Sequence, residues 1–205
     1  MTLRFPDPSV DTEPFFQWLG PRSDSNEYAA HQDRPCRRED IARVLDNPTG
    51  TTFIVEAGGK PVGAVWAFPS GPLNTRNVEL SAVIGEPGLR RSPLAGEALL
   101  MAIDFLFMRK NLHKISARII ERNSPMLAIL DSHQLGRREG TLRAYSLSGG
   151  ALAEGICWGI LRTEYVAHPR FADIQRILGR SVMPDRQVSA SWIASATHLL
   201  EARRG

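Results

Sequence analysis

The chain has 205 residues, 42% hydrophobic and 23% charged, which is ordinary for a soluble globular protein and enough for one domain with an appendage. The formal net charge is only +3, although the sequence pI is about 9.2. That mild basic excess suits an anionic ligand and does not by itself make a nucleic-acid binder. Two cysteines, Cys36 and Cys157, stand far apart without metal-ligand spacing, so no metal is expected and a reducing interior is the simpler setting. The opening MTLRFPDPSVD has no apolar signal core. The most apolar run, ALLMAIDFLFM (98–108), is too short to span a bilayer and contains Asp104. A cytoplasmic protein without a membrane partner is therefore expected.

In chain order, DTEPFFQWL (11–19) predicts a short helix with Asp11 or Thr12 near its cap, followed by a polar surface loop over 20–35. REDIARVLDNP (38–48) predicts a helix that puts Ile41, Val44 and Leu45 on one face and stops before Pro48. TTFIVEA (51–57) and KPVGAVWAF (60–68) are rich in β-branched and aromatic residues and flank Gly58-Gly59, which predicts a hairpin. NVELSAVIG (77–85) is a third strand. The period then changes. Leu94, Ala98, Leu99, Ala102, Ile103 and Leu106 repeat at helical spacing, predicting a helix over 94–109.

HKISARII (113–120) is another strand, and SPMLAILDS (124–132) another helix, with Ser124 as its cap and Pro125 at its first position. EGTLRAYSL (139–147) and GICWGILRTEY (155–165) close as two more strands. The tail beyond 165 carries two amphipathic helix candidates, 170–178 and 189–204. The order predicts a mixed α/β domain over 1–165: an antiparallel meander, a crossover helix and a final hairpin. Residues 166–205 form a helical extension that packs on the domain or on a second subunit.

Several segments in this order resemble the GNAT superfamily of N-acyltransferases, most closely the branch that acetylates ribosomal-protein N-termini and related small amines. They are the helix EALLMAIDFLF, the strand LHKISARIIERN ending in Asn123, Arg138-Glu139-Gly140, and the closing Glu164-Tyr165. The resemblance covers roughly 10–165. It implies a mostly antiparallel mixed sheet with helices on both faces, and a splay between the parallel strands 77–85 and 113–120. Acetyl-CoA or another acyl-CoA lies in that opening. Its carbonyl meets backbone near Val83 or Ile84, and its pyrophosphate meets the loop before the 94–109 helix. The acceptor is the amine of a small molecule or peptide.

The loop itself departs from the family pattern. Arg90, Ser92, Leu94, Ala95 and Gly96 are compatible with a phosphate cradle at a helix N-terminus, where backbone N–H groups converge on an anion. Arg91 and Pro93 stand where glycines are usual, and Pro93 has no N–H to offer. Ser92-Pro93 reads equally as a plain helix start. The segment is thus a CoA site with arginines replacing lost backbone contacts, or a site for another donor. Some relatives use aminoacyl-tRNA, and a basic surface of Arg90, Arg91, Arg137 and Arg138 would suit a tRNA partner.

For catalysis the resemblance points to Glu79, from which relatives deprotonate the amine through water; read alone, it is an exposed strand carboxylate. The tyrosine that protonates the leaving group in many relatives is missing from 124–135, leaving Ser132 and His133 as substitutes. Asn123 orders the CoA arm in the family; read alone, it is a strand end or cap. Trp18, Tyr28, Trp66, Phe68 and Trp158 line the acceptor pocket or belong to the core. A protein of this fold that binds a ligand without chemistry is the third reading.

Overall fold

A computed structural model describes residues 1–20, 37–90, 92–148 and 151–178. Seven strands form one sheet: β1 Thr2–Arg4, β2 Thr51–Ala57, β3 Lys60–Pro69, β4 Asn77–Ile84, β5 Lys114–Ile120, β6 Arg137–Ser148 and β7 Ala151–Leu161. Their spatial order is β1-β2-β3-β4-β5-β7-β6. Every neighbouring pair is antiparallel except β4 and β5, which are parallel. Joining two parallel strands needs a crossover, and the helix α3 (Leu94–Asp104) supplies it.

Two apolar clusters sandwich the sheet. On one face α3 delivers Ala98, Leu99, Met101, Ala102 and Ile103 onto Val65, Val78, Leu80, Ile115, Ile119 and Trp158, joined by Leu130 of α4 (Ser124–His133). Ala98, Leu99, Ala102 and Ile103 are positions that the helical period singles out, and Met101 joins them; each large side chain buried here is worth roughly 1.5–3 kcal/mol. On the other face α1 (Pro8–Leu19) and α2 (Arg38–Leu45) place Phe15, Trp18, Ile41 and Leu45 against Ile54, Ala64 and Val83. Among the described residues this second cluster includes nothing from β5, β6 or β7. The Trp18 ring lies so close to Gly85 that a Cβ there would come within 1.9 Å of it. The end of α1 is thereby seated on the end of β4.

Several expectations need correction. The short strand β1 is absent from the expected elements, because three residues ahead of Pro6 carry too little pattern; pairing with β2 makes it a strand. Helix α1 begins three residues before its expected start, since Asp7 caps it by accepting the Ser9 N–H. Asp11 is not near the cap but 1% exposed, held by the Arg4 guanidinium through two bonds of 2.6 Å. Helix α2 stops at Leu45.

The helix expected to reach residue 109 changes hydrogen bonding after Asp104. The Lys110 N–H reaches back five residues to the Phe105 carbonyl at 3.2 Å, in a π turn over Phe105–Arg109. The Phe105 ring packs edge-on against Phe53 at 5.1 Å. Strand β7 ends at Leu161, four residues early, because β5 has no residue left to pair with it beyond Lys114. The next residues form α5 (Arg162–Val166), where Glu164 accepts the Leu161 N–H at 2.9 Å.

Tyr165 of α5 is fully buried and donates to Asp104 at 2.8 Å. Gln175 of α6 (Phe171–Leu178) donates to the same carboxylate, and Ile174 is buried in the first cluster. The candidate helix over 189–204 lies outside the described residues.

Candidate active site

The sheet opens between β4 and β5. The two strands pair only at Asn77–Lys114, Val78–Ile115 and Glu79–Ser116. Beyond Glu79, β4 continues to Ile84 along β3, and β5 continues to Ile120 along β7, so each strand holds its other neighbour while they part.

The β3 ladder runs without a register shift, and its ends fix which backbone groups face the gap. The Asn77 carbonyl accepts from Ser70, and the Gly85 N–H donates to Val62, so odd positions of β4 turn toward β3. Even positions turn toward the opening. Of the two positions proposed for the donor carbonyl, Val83 has its backbone groups engaged with β3. Ile84 faces the opening, and so does Ala82.

The loop after β4 arrives through a 3-10 turn over Pro87–Leu89. Arg90 folds back on it: its Nε donates to the Ile84 carbonyl at 3.1 Å, and a terminal nitrogen donates to the Gly85 carbonyl at 3.2 Å. Arg90 therefore fastens the loop to the end of β4. Arg91 lies outside the described residues.

Ser92 donates to the Leu89 carbonyl at 2.7 Å and accepts the Leu94 N–H only loosely, at 3.4 Å. The cap position falls on Pro93 and the helix begins at Leu94, one residue later than Ser92-Pro93 suggests. The first helical bond is from the Glu97 N–H to the Pro93 carbonyl at 3.0 Å. The amides of Ala95 and Gly96 precede it, at the positive end of α3. Past them an apolar groove between α3 and α4 is lined by Gly96, Leu99, Leu100, Ile103, Ile129 and Leu130.

Glu79 sits at the fork itself. Its carboxylate receives two bonds from Arg118 of β5, 2.8 Å from Nε and 2.6 Å from a terminal nitrogen. The pair thus spans the two diverging strands. Both side chains remain accessible, 22% for Glu79 and 40% for Arg118. The carboxylate holds the Arg118 guanidinium above its ordinary range.

A residue absent from the sequence reading stands beside them. Register shifts twice along β6, and between Leu142 and Ser146 the chain passes through Ala144 with φ of 52°. That bulge brings Tyr145 over Gly155 of β7, where an added Cβ would lie 2.4 Å from the ring. The ring is 5.8 Å from the Arg118 guanidinium carbon, and burial pushes its phenol up. A positive φ at an alanine leaves no signature in the sequence.

The remaining candidates are spread out. Asn123 caps α4 by accepting the Met126 N–H at 3.3 Å. Ser132 is exposed and donates back to the Ile129 carbonyl at 3.0 Å. His133 ends α4, and its side chain lies outside the described residues. Trp18 and Trp158 are core, 6% and 3% exposed, on opposite faces of the sheet; Trp66 and Phe68 are half-buried, and Tyr28 lies outside the described residues. Arg137 pairs with Glu164, and Arg138 pairs with Asp131 at 2.7 Å, so neither is a bare cation. Among the described residues no helix is long and apolar enough to cross a membrane.

Comparison with known proteins follows the same lines. The family model described as "Acetyltransferase (GNAT) domain" matches residues 1–133. An SPbeta prophage-derived uncharacterized N-acetyltransferase of Bacillus subtilis (strain 168) is 29% identical over 129 residues, covering 62% of this chain and 71% of its own. A mutant form of spermidine N-acetyltransferase SpeG from Vibrio cholerae superposes with a TM-score of 0.67 at 21% identity, over 82% of this chain and 98% of that one. Mycobacterium smegmatis RimJ in complex with CoA-disulfide superposes with a TM-score of 0.65 at 18% identity, over 89% and 90% of the two chains.

Proposed function

Because this chain belongs to the acetyltransferase (GNAT) family, through a match to residues 1–133 of its 205, we propose that it moves an acetyl group from acetyl-CoA to a primary amine by direct attack. The acceptor is a small molecule or a peptide. The observation that carries the reading is the fork between β4 and β5, with the α3 N-terminus beside it.

In the transfer, the amine nitrogen attacks the thioester carbonyl carbon. A C–N bond forms, the C–S bond breaks, the nitrogen gives up a proton and the thiolate takes one. An amine reaches the site as an ammonium, and Glu79 at the fork receives its proton, directly or through water. The opening-facing amide of Ile84 or Ala82 serves the carbonyl oxygen as its charge grows. The amides of Ala95 and Gly96 serve the pyrophosphate, with Arg90 fixing the loop that presents them. The opening between β4 and β5 takes the donor's arm, with Asn123, just past the end of β5, to order it. Ser132 and His133, at the end of α4, are the candidates for protonating the thiolate.

An aminoacyl-tRNA donor calls for a continuous basic surface, and the ion pairs of Arg137 and Arg138 argue against one. Isothermal titration with acetyl-CoA and with CoA, at low and moderate salt, tests the proposal. A micromolar dissociation constant for acetyl-CoA that changes modestly with salt is expected. Absence of heat at millimolar acetyl-CoA would overturn the donor assignment, and charged tRNA would be the next ligand to titrate.

A further inference from the structure

The Glu79–Arg118 pair has a consequence for the acceptor, resting on the acetyl-transfer reading above. An incoming ammonium must compete for Glu79 with a guanidinium already bound through two bonds of 2.8 and 2.6 Å. Winning that contest with a simple amine leaves Arg118 without its carboxylate and next to a second cation. A polyamine makes this worse, because its further charges lie beside the same guanidinium. An acceptor that carries a carboxylate near its amine changes the balance. Its ammonium takes Glu79 while its carboxylate takes Arg118, and one ion pair is exchanged for two.

The geometry points to Arg118 as a specificity-determining residue that selects amines bearing a neighbouring carboxylate, of the α-amino acid type. Three observations support it. The pair bridges the two strands at the last point where they touch, beside the opening. Its two side chains are accessible enough to exchange partners, at 22% and 40%. The bulge at Ala144 and the missing side chain at Gly155 seat the Tyr145 ring against the guanidinium, which keeps Arg118 placed when Glu79 turns to the substrate. The short reach from carboxylate to guanidinium limits the ligand's own charges to a separation of a few bonds.

The test measures thiol release from acetyl-CoA with matched acceptors: α-amino acids, the same compounds as amides, and spermidine. Acetyl-CoA binding is titrated in parallel. An amino acid amide has the less basic amine, which by itself favours the amide, so a preference for the acid is informative. The wild type is expected to favour acids over amides by about tenfold or more in kcat/KM, the yield of one charge-assisted contact. Arg118→Ala is expected to bring that ratio close to one, with Arg118→Lys between. Equal rates for acid and amide in the wild type, or a preference for spermidine, would overturn the inference without any variant having to fold. Acetyl-CoA binding with no turnover of any acid would sink the acceptor class and leave the donor assignment standing. No acetyl-CoA binding would remove both.

Discussion

Replacing Glu79 by Gln tests the mechanism with little disturbance of the fold. The change keeps the size of the side chain and one carbonyl acceptor for Arg118, and removes the charge and the site for a proton. The Glu79–Arg118 pair is partly exposed, at 22% and 40%, so solvent screening holds its contribution to about 1 kcal/mol or less. For a chain of this size that moves Tm by no more than about 2–4 °C. The contacts proposed for the donor are backbone amides, not the Glu79 carboxylate, so acetyl-CoA affinity should stay within about twofold, well under 1 kcal/mol. Turnover is different. A positioned base contributes roughly 10²–10⁴-fold, and that factor should fall on kcat.

The loss should also depend on pH in one direction. As pH rises, more acceptor arrives already neutral, and the need for a protein base shrinks. The ratio of wild-type to variant kcat/KM should therefore be largest near neutrality and narrow above pH 8. Steady-state thiol release across that range, with calorimetry for the donor, reads both effects. Equal turnover of variant and wild type above and below pH 8 would refute Glu79 as the proton acceptor. A large loss of acetyl-CoA affinity would refute the separation of the two sites.

Arg90→Ala frees the loop from the Ile84 and Gly85 carbonyls, so acetyl-CoA dissociation should rise by about tenfold, mostly without change in kcat at saturating donor; titration and saturation kinetics check this. Asp11→Ala removes two 2.6 Å bonds from the Arg4 guanidinium and the acceptor of the Asp7 N–H, while Arg4 keeps Glu56 at 2.6 Å, so unfolding stability should fall by roughly 1–3 kcal/mol, seen as a lower denaturant midpoint. Tyr165→Phe removes the hydroxyl that donates to Asp104, at a cost of about 1–3 kcal/mol. Burial, then the Asp104 bond, raises the Tyr165 phenol above its ordinary value of 10.0, so the folded state keeps a proton that the unfolded chain releases. Wild-type stability from this group is therefore complete below about pH 10 and declines above it, a decline that chemical denaturation should find missing in Tyr165→Phe.

The fold was legible wherever periodicity was long. Strands β2 to β5 follow from runs of β-branched and aromatic residues, and helices α3 and α4 from helical spacing and start signals; β2 and β3 bury both faces, so their signal is composition. The errors fall where tertiary contacts decide. Strand β1 is three residues long and exists through β2. The end of β7 depends on where β5 begins. The π turn at Phe105 keeps the apolar composition of a helix while changing its hydrogen bonding, so the pattern over 105–109 looks the same either way.

The site divides along the same line. The elements proposed for the donor lie in one stretch of chain: the strand 77–84, the loop at 90 and the start of α3. Even there, which of Val83 and Ile84 faces the opening follows from the parity of the β3 ladder, which sequence does not carry. The residues proposed for the acceptor, Glu79, Arg118 and Tyr145, come from three strands through one parallel register and one bulge. Arg118 reads as one more basic residue in a strand until β5 is set beside β4. Tyr145 comes from β6, and its position rests on an alanine at positive φ and on Gly155 beneath the ring. The tyrosine's placement is thus a property of the strand pairing, and substitutions that alter the Leu142–Ser146 bulge should act on acceptor choice before they act on the donor.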